Sequence, residues 1–271
     1  MPVDSPVWWD VLRLVAAANL LLWILSARLL ARLSVNMPSQ VYRWRSMGLL
    51  LSLLYVLGCA FRSFYPVADV PRICLVDSWL SSVVVGRSVA TVAELALIAQ
   101  CALLLHEAGK ASDVGLTVMI SRILLPIIIV AELFSWYAII STNYAGAVIE
   151  ESLWTLTALL MIAGLVAIRA QVCCSLRPYI FSILAFSVGY VVFMVSVDIP
   201  MYFSRMQLDL ATGREYLSLA TGLADVGGRC NATADWELWR DELKWILPYF
   251  TVAVWFSIAL THVPWPIVQK D

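Results

Sequence analysis

Seven apolar stretches, each roughly twenty residues long, recur along this chain, and a helix of that length crosses ~30 Å of hydrocarbon. They fall at about 9–30, 47–64, 79–105, 118–140, 152–168, 179–203 and 245–262. An open sheet cannot cross a bilayer, because its edge groups would go without hydrogen bonds, and these runs lack the alternation of a membrane barrel. Helices are the remaining solution. The composition agrees: 62% of the 271 residues are hydrophobic and 14% charged, against about 25% charged in a soluble domain. The excess apolar surface must face lipid, which excludes a soluble enzyme and a disordered regulator. A formal net charge of -1 also excludes a nucleic-acid partner. The expected fold is an all-α integral membrane protein, one bundle of seven transmembrane helices over 1–271. Membrane lipids surround it, whether the membrane is a plasma, inner or endomembrane.

Cationic residues in short loops orient such a bundle. Arg28, Arg32, Arg43 and Arg45 lie in the first connection, Lys110 and Arg122 in the third, Arg169 and Arg177 in the fifth, and Lys270 in the tail. The other side has Arg62 and Arg72 in the second connection, none in the fourth, and the acidic start with Asp4 and Asp10. The amino terminus is therefore expected outside and the carboxyl terminus in the cytoplasm. The long connection 204–244 then lies outside. Leu208, Tyr216, Leu219 and Leu223, followed by Trp236, Trp239 and Leu243, recur in it at near-helical spacing among charges. Tryptophan beside charge suits an interfacial helix, so this segment reads as a partly helical outer cap, with an inert connector as the alternative.

Cys74 and Cys230 share that outer side, where a disulfide persists, so their Cα atoms are expected within ~7 Å. Cys59 is the spare partner. Cys101, Cys173 and Cys174 lie toward the cytoplasm and are expected reduced. His106 and His262 are the only histidines. Both end spans at the cytoplasmic boundary, where an imidazole can cap a helix. Axial ligation of a haem by the two is the alternative, and no other cofactor and no metal site is expected.

Ionisable residues inside a bilayer are costly and mark functional sites. The third span carries Ser81, Arg87, Ser88, Thr91 and Glu94 along what helical spacing makes one stripe. Arg87 lies ~12 Å below Trp79 at the helical rise, a depth matched by Glu132 on the antiparallel fourth span. These two are expected to pair, and removing Glu132 would strand the guanidinium. Glu94 is left deeper without an evident partner. Arg13, Asn19, Arg62, Glu150, Glu151, Asp198 and Lys244 cluster in the same half of the bundle, which outlines a polar pocket open outward and floored near Glu94.

Single residues exclude several heptahelical classes. The last span has Val254 and Trp255 at its middle where a retinal protein needs a lysine. The third span ends in His106-Glu107-Ala108 without the acidic-Arg-Tyr triplet of G-protein-coupled receptors, and two histidines are too few for a three-histidine zinc hydrolase. No internal repeat suggests a secondary transporter. The pocket suits a membrane-embedded acid/base enzyme acting on a lipophilic substrate, with Glu94 and Asp198 as its catalytic carboxyls. Arg87, Glu132, Thr91, Ser88 and Asn19 would bind the substrate, and Trp136, Trp154 and Trp255 would line an apolar wall. A non-catalytic sensor or transporter-like protein for a lipophilic or small polar ligand is the alternative.

Overall fold

All seven stretches form helices long and apolar enough to cross a membrane. The computed structural model describes residues 6–33, 37–172, 176–228 and 230–264. Asp4, Cys173, Cys174 and Lys270 lie outside the described residues. The first five spans are α1 (Val7–Leu33), α2 (Ser39–Phe64), α3 (Val83–Ala111), α4 (Gly115–Ser141) and α5 (Tyr144–Ile168). The sixth is α6 (Arg177–Phe193), a π turn (Met194–Asp198) and α7 (Ile199–Thr212) in one continuous rod. Two short helices follow, α8 (Leu219–Asp225) and α9 (Trp236–Trp239), and the seventh span is split into α10 (Leu243–Phe250) and α11 (Val252–Leu260).

Helices α2 and α5 begin about two turns before the apolar stretches that announce them. A helix satisfies its own backbone whatever its side chains, so hydropathy marks the lipid-compatible part and not the end of the hydrogen-bond ladder. Glu150 and Glu151 consequently lie inside α5 instead of opening it. Conversely, α3 starts at Val83 after a short 3-10 turn (Trp79–Ser81), which places Arg87 about 6 Å below its first residue.

Helices adjacent in sequence pack side by side from α1 to α6, and α11 returns to lie against α1, α2 and α3. Small residues set the closest approaches, as expected where lipid gives helices no hydrophobic reason to associate. At Gly146, a Cβ would stand 2.7 Å from the Phe134 carbonyl oxygen, so only glycine lets α5 cross α4 this tightly.

Two prolines explain the irregular spans. Pro200 has no N–H to offer and its ring crowds the preceding turn, and the rod widens into the π turn just before it. Pro248 precedes the break at Thr251. The backbone carbonyls beside that break accept side-chain donors instead: Asn19 Nδ2 donates to Phe250 O at 2.9 Å and Tyr55 Oη to Tyr249 O at 3.4 Å.

The connections after α2, α4 and α7 meet at one end. Val67–Ala68 pairs antiparallel with Ile73–Cys74, which pairs in parallel with Asn231–Ala232. Cys74 and Cys230 are joined as a disulfide there, with Cα atoms 5.8 Å apart. Cys59 and Cys101 are free and buried. Arg72, in the left-handed region at the hairpin turn, donates to Asp225 at 2.8 Å and to the Ile139 carbonyl at 2.6 Å. It thereby ties the hairpin to α8 and to the end of α4. α8 sits so close to α4 that a Cβ at Gly222 would collide with the Ile140 carbonyl.

The described residues of the 204–244 connection carry α8, α9, a paired strand and one half of the disulfide at this end. One expectation about it fails: Trp239 is not an interfacial anchor. Its ring is fully buried beside Trp8, with centroids 5.4 Å apart, and its Nε1 donates to the Thr233 carbonyl.

His106 and His262 lie at the opposite end. His106 Nδ1 is 3.0 Å from Ser121 Oγ and His262 Nε2 is 2.9 Å from Ser26 Oγ. Burial, then the charge of Arg45, pushes the His262 imidazole below its ordinary range, which favours a neutral hydrogen-bonding ring over a charged cap.

Candidate functional site

One guanidinium organises the polar interior. Arg87 Nη2 lies 2.8 Å from Glu94 Oε2, 2.6 Å from Glu132 Oε2 and 3.4 Å from Glu150 Oε1, so α3, α4 and α5 converge on a single nitrogen. All four residues are buried. The depth match that pairs Arg87 with Glu132 describes the geometry, but Glu94 is not alone. Seven residues bring it back to the same face of α3, and helical side chains lean toward the amino end, which tilts Glu94 up toward Arg87. Its other oxygen accepts from Tyr249 Oη at 2.9 Å. Glu132 also accepts from Thr91 Oγ1 at 2.6 Å, and Thr91 in turn accepts from Trp136 Nε1 at 3.2 Å.

Charge counting gives this cluster its chemical interest. Three carboxyls face one guanidinium, and an oxygen from each lies within 4.8 Å of the others. That spacing would hold a cation, and the guanidinium nitrogen already occupies the position. What remains is an excess of carboxyls over cations among these four residues. Two atoms are left without a hydrogen-bond partner, Arg87 Nε and Glu132 Oε1.

The cluster borders a cavity of about 440 Å³, a volume that takes a drug-sized molecule. Arg87, Glu94 and Glu150 are on its wall, and so are Glu151 and Asp198. Asp198 reaches it from the end of the π turn, buried, with Oδ1 unpartnered. The cavity does not end near Glu94. It continues past it to Ile98, Cys101 and Met161, about 10 Å further along α3 at the helical rise, so a greasy chamber lies beneath the charges. The backbones of α6 and α11 make little approach across it, and the stacked rings of Phe186 and Phe256 bridge them with centroids 3.9 Å apart.

Toward the cap, Arg205 pairs with Glu242 at 2.8 Å and Arg62 with Asp69 at 3.5 Å, and these four also line the cavity. Arg205, Glu242, Tyr190 and Tyr249 escape sequence reasoning. The first two sit in a segment rich in solvated charges, and a tyrosine in a span carries no signal of which way it faces.

Other expected members stand elsewhere. Ser88 is exposed on the outward side of α3, off the stripe of Arg87 and Glu94. Thr91 supports Glu132 from behind. Asn19 holds the broken seventh span, with Oδ1 accepting from Trp255 Nε1 at 2.8 Å. Trp154 is on the cavity wall, whereas Trp255 is half exposed on the outer surface of α11 and Trp136 lies behind Thr91. No family model, curated protein or solved structure matches this chain.

Proposed function

We propose that this polytopic membrane protein is an acid/base enzyme acting on a lipophilic substrate held in the cavity. The observation that carries this reading is Glu94: a buried carboxyl, hydrogen-bonded by Tyr249, in a cluster of excess carboxyls, directly above an apolar chamber. In this reading Glu94 gives a proton to the substrate's reacting atom and Asp198, with its free oxygen, accepts one, while Arg87 holds the cluster's charge in place. The cap end faces the oxidising side of the membrane, because a disulfide persists there and the arginines of the short loops gather at the other end.

The substrate comes from lipid. Gly189 of α6 and Val252 of α11 are both exposed and both on the cavity wall, so in this reading the seam between these helices is a side door. A Cβ at Gly189 would meet nothing within 4 Å, so a larger side chain fits there without disturbing the bundle. Gly189→Trp should obstruct the seam and slow uptake of a chain-labelled lipophile at least about tenfold, ~1.4 kcal/mol of barrier, with the folded fraction unchanged. Unaltered uptake would mean that the cavity is filled from another direction.

The enzyme reading is tested by incubating purified protein with a total lipid extract and following its components by mass spectrometry. Wild-type protein should convert at least one bound species, and Glu94→Gln should keep that species bound while slowing conversion about a hundredfold or more, the low end for a lost general acid. Binding without conversion in the wild type would favour a sensor instead.

A further inference from the structure

Six carboxyl groups face three guanidiniums on the cavity wall: Asp69, Glu94, Glu150, Glu151, Asp198 and Glu242 against Arg62, Arg87 and Arg205. Ion pairs account for part of this. Arg62 is matched by Asp69 and Arg205 by Glu242, and Arg87 is outnumbered by the carboxyls around it. The surplus therefore lies on the stretch of wall formed by α5 and the π turn. Asp198 is the sharpest instance, 6% exposed, with Oδ1 buried and unpartnered. A buried carboxylate oxygen without a partner is costly, and a cation held in the cavity beside Asp198 would offset that cost. Aromatic side chains share that wall, among them Trp154, Phe186, Tyr190, Tyr202 and Tyr249. Ring faces attract cations most strongly where water is scarce.

We propose that the substrate is an amphiphile with a cationic head, an amine or quaternary ammonium on a hydrocarbon chain. The head lies between Asp198, Glu151 and the ring faces, and the chain fills the apolar chamber toward Ile98 and Met161. This rests on the cavity being a site for lipophilic molecules, and it adds the charge of the head.

The test uses three probes with the same sixteen-carbon chain: hexadecyltrimethylammonium, hexadecyl phosphate and hexadecylglycerol. Each is titrated onto the full-length protein in a neutral detergent and bound molecules are counted by native mass spectrometry. The ammonium probe should bind at least about tenfold more tightly than the neutral one, ~1.4 kcal/mol, and the phosphate more weakly than either. Asp198→Asn, which keeps the shape and removes the charge, should erase most of the ammonium preference and leave the neutral probe unaffected. Equal binding of ammonium and neutral probes would overturn the cationic head, since protons alone would then satisfy the surplus carboxyls, and would leave the lipophile site intact. Tighter phosphate binding would overturn it as well. If none of the three binds, the lipophile site itself is wrong.

Discussion

Replacing Arg87 with leucine should destabilise the protein by on the order of 3–5 kcal/mol, the cost of removing one side of a buried ion pair. The guanidinium is the one cation within reach of Glu94, Glu132 and Glu150 in the described structure. Without it, three carboxyls drawn from α3, α4 and α5 face one another, and those helices lose the nitrogen they share. Glu132→Leu should cost less. The depth argument from sequence makes Glu132 the first choice of partner, with Glu94 or Asp198 as alternatives, and predicts a stranded charge on its removal, but the structure leaves Glu94 and Glu150 in place. The loss is then that of charged hydrogen bonds, roughly 1.5–3 kcal/mol. Unfolding in mixed micelles, followed by far-UV circular dichroism, ranks the two variants. Adding Glu132→Gln and Glu150→Gln to the Arg87→Leu protein should recover part of the loss, because the repulsion is then gone. A Glu132→Leu protein as unstable as Arg87→Leu would show that the pair, and not the hub, holds the helices.

Opening the disulfide by Cys74→Ser should cost about 2–4 kcal/mol, the usual range for a native crosslink, and the loss should be local. The bridge joins positions 156 residues apart, but the spans between them stay inserted, so what it restrains is the cap. Hydrogen exchange should rise across the paired strands Val67–Ala68, Ile73–Cys74 and Asn231–Ala232 and across α8, with α3 and α4 unchanged. Asp69, a cavity-wall residue on the same hairpin, would lose its seat and weaken its contact with Arg62. A membrane-impermeant reductant applied to the face that carries the cap should produce the same exchange pattern in the wild type. Protection that stays unchanged after either treatment would mean that the small sheet and Arg72 hold the cap without the bridge.

The spans were legible because bilayer thickness and backbone hydrogen bonding leave one solution for a run of twenty apolar residues. The same arithmetic, a rise per residue and alternating direction, places Glu132 level with Arg87 from the chain alone. It also brings Cys74 and Cys230 to one end, since both follow from chain direction alone. Periodicity could not say which way a span faces. Helical spacing sets Ser88 about 120° round α3 from Glu94, but a membrane helix is apolar all round, so which of those faces meets a neighbour could not be read without the packing, and Asn19 could not be told from a ligand contact until the break at Thr251 showed which carbonyl it serves.

Side-chain reach is a second thing sequence position understates. Glu94 and Arg87 sit two turns apart on paper, and a long guanidinium with a carboxyl leaning toward the amino end closes that distance. The cavity is the clearest case of a property that belongs only to the tertiary structure. Its polar residues were countable in the sequence, but its volume exists because α6 and α11 do not close against each other, and a void has no residues of its own to be read. Seven helices, their alternating direction and the level at which Arg87 meets Glu132 follow from the chain alone, as consequences of the hydrophobic cost of exposing backbone and charge to lipid. The packing of those helices decided that the charges converge on one nitrogen, that Asp198 keeps an unpartnered oxygen, and that an apolar chamber lies below them, because each depends on distances between segments far apart in the chain.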